Sequence, residues 1–198
     1  MELNGYTYED IRSEIGRAME EKSAAFFPAL FPEVPSWDSF LAHLDKRRFE
    51  GEPFFEPNNP KEVLVGNVIK RTDADFYFYT TGGELTDDIP EVGAVKSKLQ
   101  EICGDMLDGG PHPVGCFYNF AREGFNVPAH GDDRETFFWQ CIGRTTWNIY
   151  NPNGKGMEWE RIGSFDMGPG DLLYIGHWVE HEVLITGPRA GVAFNAKA

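Results

Sequence analysis

The chain has 198 residues, with 32 Asp and Glu against 18 Lys and Arg, a formal net charge of −14 and a pI near 4.7. That balance disfavours nucleic acid, whose binding rests on cations that neutralise phosphates and release counterions. The length suits one buried core, and no stretch is long and apolar enough to span a bilayer. The first residues lack a basic segment followed by an apolar run, so the reading is cytoplasmic.

In chain order, Tyr8, Ile11, Ile15 and Met19 recur at helical spacing and predict an amphipathic first helix. Residues 26–35, dense in Phe and Pro, read as a loop. Ser36 stands as an N-cap before a second helix carrying Trp37, Phe40, Leu41 and Leu44. Val63–Ile69 and Asp75–Thr80 read as strands. Pro90 opens a third helix with an apolar stripe of Val95, Leu99, Ile102 and Met106, which the Gly109-Gly110-Pro111 cluster ends.

From Pro113 onward, eight short β-branched or aromatic runs alternate with turn residues: 115–120, 126–130, 136–142, 146–150, 163–167, 172–175, 182–185 and 192–195. Close-set short strands predict a closed or double-sheet architecture such as a jelly roll. The expectation is one domain over 1–198, with 1–112 a helical and β elaboration and 113–198 the β core. Cys103, Cys116 and Cys141 are odd in number and lack a C-x-x-C pair, which argues against a disulfide framework or zinc knuckle.

His130 and Asp132 are two apart, so in an extended strand they share a face and can converge on one metal ion. A His from a distant strand would complete a set of two imidazoles and one carboxylate, which leaves coordination positions open for reactants. His181 is the first choice, since it follows Gly170-Asp171-Leu172-Leu173-Tyr174-Ile175 and precedes another strand. His177, four residues earlier, competes for that role, although Gly176 suggests a bend there. Nitrogen and oxygen donors without thiolate favour Fe(II) or a similar divalent ion over structural zinc. Alone, H-x-D is a weak signal; its order with the later sheet segment and His is more specific.

Val127-Pro128-Ala129-His130-Gly131-Asp132, followed by Phe137-Phe138-Trp139-Gln140, Gly143, Trp147 and Tyr150, resembles the metal-binding core of JmjC-type and ribosomal-oxygenase-type hydroxylases. Residues 169–181, ending in His181, resemble their second segment, in which a G-D-x-L-Y-I run leads to the distal iron ligand. The resemblance covers about residues 115–196, with a looser echo at Val34–Phe40. It implies a mainly β protein with a double-stranded β-helix core of the cupin class, flanked by helices. It also implies Fe(II) held by His130, Asp132 and His181, with 2-oxoglutarate as co-substrate, decarboxylated to succinate as a substrate is hydroxylated or demethylated.

Many relatives carry Lys or Arg two residues after the Gly matching Gly143, paired with the far carboxylate of 2-oxoglutarate; this chain has Thr145. A hydroxyl cannot match a charge-assisted bond, so another cation is needed. Arg189, just before the last strand, is the better substitute, against the alternative of a solvated turn residue. By the same resemblance Asn195 contacts co-substrate. Tyr118 is a further carboxylate donor or an ordinary core tyrosine. Three functions follow: a 2-oxoglutarate oxygenase acting on a protein or peptide side chain or a small molecule, a cupin metalloenzyme working without 2-oxoglutarate, or a non-catalytic cupin-like binding domain. A homodimer is compatible with each.

Overall fold

The computed structural model describes residues 2–49, 62–65, 68–71, 77–81, 85–120, 126–151 and 160–197. A two-stranded hairpin, β1 (Glu2–Leu3) and β2 (Tyr6–Thr7), leads into α1 (Tyr8–Glu21). A capping box starts that helix: the Asp10 N–H donates to the Thr7 hydroxyl at 3.1 Å, and the Thr7 N–H donates back to the Asp10 carboxylate at 3.1 Å. After β3 (Ala24–Phe27), α2 (Trp37–Phe49) begins where the Ser39 N–H donates to the Ser36 hydroxyl at 3.2 Å. Three strands follow, β4 (Glu62–Val65), β5 (Val68–Arg71) and β6 (Tyr77–Thr81), then a short α3 (Leu85–Asp88) and α4 (Pro90–Cys103), which opens on its proline.

The rest is β: β7 (Asp108–Asn119), β8 (Val127–His130), β9 (Glu135–Ile142), β10 (Thr145–Tyr150), β11 (Arg161–Met167), β12 (Leu172–Ile175), β13 (His181–Ile185) and β14 (Arg189–Lys197). All pairings are antiparallel. One sheet has the order β11-β10-β13-β8, and a larger one runs β3-β12-β9-β14-β7-β6-β5-β4. The strands interleave between the two sheets as the double-stranded β-helix requires, and the N-terminal segment adds strands to both ends of the larger sheet.

Strands β9, β12 and β14 of that sheet are covered on both faces, and alternation along them decides which side chain goes where. Phe138, Leu173, Ile175 and Ala193 point between the sheets, where they meet Trp147, Ile149, Val183 and Ile185 of the smaller one. Their neighbours Phe137, Trp139, Tyr174 and Phe194 point the other way, onto Ile11 and Ile15 of α1 and Val95, Leu99 and Ile102 of α4. Two-sided burial is why the successive residues Phe137, Phe138 and Trp139 of β9 are all apolar.

Three local expectations are revised. Phe26 and Phe27, read as the start of the loop over 26–35, belong to β3, because that strand pairs with β12 in the register Leu172 to Phe27. The expected strand over 63–69 falls on two antiparallel strands, β4 and β5, with Val65 opposite Val68; residues 66–67 lie outside the described ones. The Gly109-Gly110-Pro111 cluster does not end a helix: α4 stops at Cys103, and those residues lie inside β7, whose Asp108 pairs with Lys197. All three cysteines are free and buried. No described helix is long and apolar enough to cross a membrane.

Candidate metal centre

His130 closes β8 and His181 opens β13, and the two strands pair with these residues opposite one another. Their rings therefore stand 4.4 Å apart, centroid to centroid. Asp132 reaches the same point, with Oδ1 at 3.9 Å from His130 Nε2 and Oδ2 at 3.8 Å from His181 Nε2. The three donor atoms all lie within 4.8 Å of one another. Separations of this size suit three ligands on one face of a divalent ion, not direct hydrogen bonds among themselves.

Each imidazole is oriented by the backbone. Nδ1–H of His130 donates to the Pro128 carbonyl at 2.8 Å, and Nδ1–H of His181 donates to the Val179 carbonyl at 3.0 Å. With Nδ1 protonated, Nε2 carries the lone pair and faces the centre, which is the tautomer a metal requires. Burial, with repulsion from His130, pushes the His181 pKa below its ordinary value, which favours the neutral imidazole that a metal ion binds. The donor set and its hydrogen bonding thus fit a first-row divalent cation.

The convergence is not achieved along one strand, as the spacing suggests. β8 ends at His130, and Asp132 lies in the turn before β9, where its carbonyl accepts the Trp178 N–H at 2.8 Å. Of the two candidate histidines, His181 joins the cluster; His177 sits in the preceding turn beside Trp178 and is exposed. Asp133 points to solvent and pairs with Arg134. Glu182, flanking His181, turns away from the centre and accepts bonds from Asn148 and Tyr150 at 3.1 and 3.0 Å.

The three donors line a cavity of about 310 Å³ between the sheets, with Phe138, Trp147, Arg189 and Asn195 among its other walls. Arg189 is 2% exposed, which excludes a solvated turn residue. Among the described residues lining the cavity, it carries the one fixed positive charge. Its backbone opens β14, six positions before Asn195, yet its guanidinium carbon lies 5.7 Å from the Phe138 ring centroid. Phe138 in turn touches Trp147 at 4.7 Å, and Trp147 stacks on His181 at 5.5 Å. An unbroken wall therefore links the cation to the donor cluster.

Asn195 lines the cavity too, with its Oδ1 accepting from the Thr136 hydroxyl at 3.3 Å; that hydroxyl is also 3.4 Å from Asp132 Oδ2. The sequence reading does not single out Thr136, whose place follows from its pairing with Asn195 across β9 and β14. Two other candidates stand outside the lining. Thr145 is buried on the same wall, but its hydroxyl donates to Gln140 at 2.9 Å and accepts from the Trp147 indole at 3.0 Å. Tyr118 faces the helices, edge-on to Phe40 at 5.8 Å; strand alternation gives the cavity its neighbour Phe117 instead.

No family model and no curated protein matches the chain. Solved structures do. The Escherichia coli protein YcfD superposes on 100% of this chain and 54% of its own, with a TM-score of 0.67 and 16% identity. The same protein, described as a ribosomal oxygenase in complex with cobalt and 2-oxoglutarate, covers 92% of this chain and 51% of its own, with a TM-score of 0.61 and 16% identity. SnoN, a non-heme alpha-ketoglutarate-dependent epimerase from nogalamycin biosynthesis, covers 96% and 84% at a TM-score of 0.55 and 10% identity. The chain shares the double-stranded β-helix fold of these proteins. It spans about half the length of YcfD. At these identities the likeness is one of architecture, and the oxygenase fold leaves the chemistry to be argued from this chain's own residues.

Proposed function

We propose that the chain is a non-haem Fe(II) oxygenase that uses 2-oxoglutarate, with the metal on His130, Asp132 and His181. The observation that carries this reading is the pairing of an open three-donor cluster with a buried arginine in one cavity. When bound, the metal supplies the oxygen chemistry that side chains cannot. The protein's part is to hold the donors in a fixed tautomer, to keep one side of the cluster open, and to orient a dicarboxylate across the cavity. Arg189 pairs with the carboxylate remote from the cluster, in place of the cation that Thr145 does not provide. Asn195 and Thr136 offer hydrogen bonds beside the cluster, while Phe138, Trp147 and Val183 keep water from it.

A buried guanidinium facing the donor cluster calls for an anionic ligand in this cavity, and a dicarboxylate that reaches both ends meets that demand, which favours 2-oxoglutarate over a cupin enzyme independent of it. The described neighbours include one ribosomal oxygenase and one epimerase of a biosynthetic route. Both a protein or peptide side chain and a small molecule are thus compatible with the fold, and we assign the reaction class, not the substrate. Purified protein given Fe(II), ascorbate and 2-oxoglutarate is expected to form succinate, and Asp132→Ala to form none above background. Succinate formation that survives in Asp132→Ala refutes the ligand assignment.

A further inference from the structure

Glu135 is a buried carboxylate that neither lines the cavity nor touches the three donors. It opens β9 only three residues after Asp132, and its Oε2 takes two hydrogen bonds. One comes from the Tyr174 hydroxyl of β12. The other comes from the backbone N–H of His177 at 3.1 Å. Burial, reinforced by the carboxylate itself, pushes the Tyr174 pKa upward, so the phenol stays protonated and donates.

The segment that Glu135 grips is the one on which both halves of the donor cluster depend. The turn Gly176–Val179 closes with the Val179 N–H on the Gly176 carbonyl at 3.0 Å. Within it, the Trp178 N–H holds the Asp132 carbonyl at 2.8 Å, and the Val179 carbonyl accepts His181 Nδ1–H at 3.0 Å. Trp178 pays for this arrangement with a left-handed backbone, φ +57°, while its side chain is 56% exposed and gives little packing in return. A bulky residue keeps that conformation only where neighbouring contacts impose it, and the bond from His177 to Glu135 is one such contact.

We infer that Glu135 is a positioning residue for the metal centre: by fixing the His177–Val179 turn it sets the orientation of His181 and the place of Asp132. This rests on the metal-site reading above. Residues that orient ligands through hydrogen bonds typically change metal affinity by about 10- to 100-fold when removed.

The test is anaerobic titration with Co(II) alone, followed by the visible d–d absorption of the bound ion, on wild type, Glu135→Ala and Glu135→Gln. Gln retains an oxygen for the His177 N–H and an amide that can bond to Tyr174, so it should bind Co(II) within about threefold of wild type, whereas Ala should lose about tenfold or more and show an altered spectrum. A merely structural role moves the thermal midpoint without separating the two variants in cobalt affinity or spectrum. If Glu135→Ala binds Co(II) as wild type does, or if Ala and Gln lose equally, the inference is wrong. Should Glu135→Ala not fold, Tyr174→Phe takes its place; it frees the carboxylate on one side and should weaken Co(II) by about threefold, and an unchanged affinity overturns the inference. Wild type that binds no Co(II) overturns the metal site itself, which separates the two failures.

Discussion

The imidazoles of His130 and His181 each donate to a carbonyl two residues back, which leaves the aspartate as the one anionic member of the cluster. Two neutral donors and one carboxylate leave a divalent ion with net positive charge, able to attract a chelating 2-oxo acid into the cavity. In the proposed reaction the opposite end of that acid pairs with Arg189. A charge-assisted bond in a buried site contributes about 1.5–3 kcal/mol, so Arg189→Ala should weaken 2-oxoglutarate binding roughly 10- to 100-fold while leaving Co(II) affinity intact. Isothermal titration of the metal-loaded variants checks this. Arg189→Lys should recover part of the loss, since the charge is kept and the planar fork is not. Equal 2-oxoglutarate affinity in Arg189→Ala and wild type would assign that role elsewhere.

Secondary-structure elements bring this arginine into position through the β9–β10 hairpin. Gly143 at its tip has φ +73°, and a Cβ there would stand 2.2 Å from the Pro188 carbonyl oxygen and 3.1 Å from the Arg189 Cα. Gly143→Ala should therefore cost more than about 1 kcal/mol in urea unfolding and also weaken 2-oxoglutarate binding, because relief of the clash moves the start of β14. A variant as stable as wild type would show that the hairpin tip does not constrain Arg189. All eight strands expected beyond Pro113 are present, since turn residues and short apolar runs are local signals. The convergence of His130, Asp132 and His181 is legible because their spacing and the G-D-L-L-Y-I context are written along the chain. Thr136 is not, because its place depends on pairing with Asn195 across strands distant in sequence. The same holds for β3, whose status as a strand comes from β12 rather than from any alternation of its own. Tyr118 and Phe117 could be told apart only once the covered faces of the large sheet were known.

For the molecule as a whole, burying histidine has a consequence for stability. His43, in contact with Asp88 at 2.9 Å, and His181 both have pKa values lowered from 6.5 chiefly by burial. The unfolded chain takes up protons that the folded one refuses, so the metal-free protein keeps this stability above pH 6.5 and loses it as pH falls toward the lowered folded values. The urea midpoint should drop between about pH 7.5 and about pH 5.5, less steeply in His43→Gln; a flat profile contradicts the assignment. On the proposed function, metal and co-substrate would bind the folded state alone, and each is expected to raise its stability with concentration. The most direct measurement is an anaerobic titration of the Fe(II)-loaded protein with 2-oxoglutarate, followed by visible absorption. A charge-transfer band that needs both Fe(II) and 2-oxoglutarate, saturates at one equivalent per chain and is lost in Asp132→Ala is the predicted result. No band in wild type, or an unchanged band in Asp132→Ala, would contradict it.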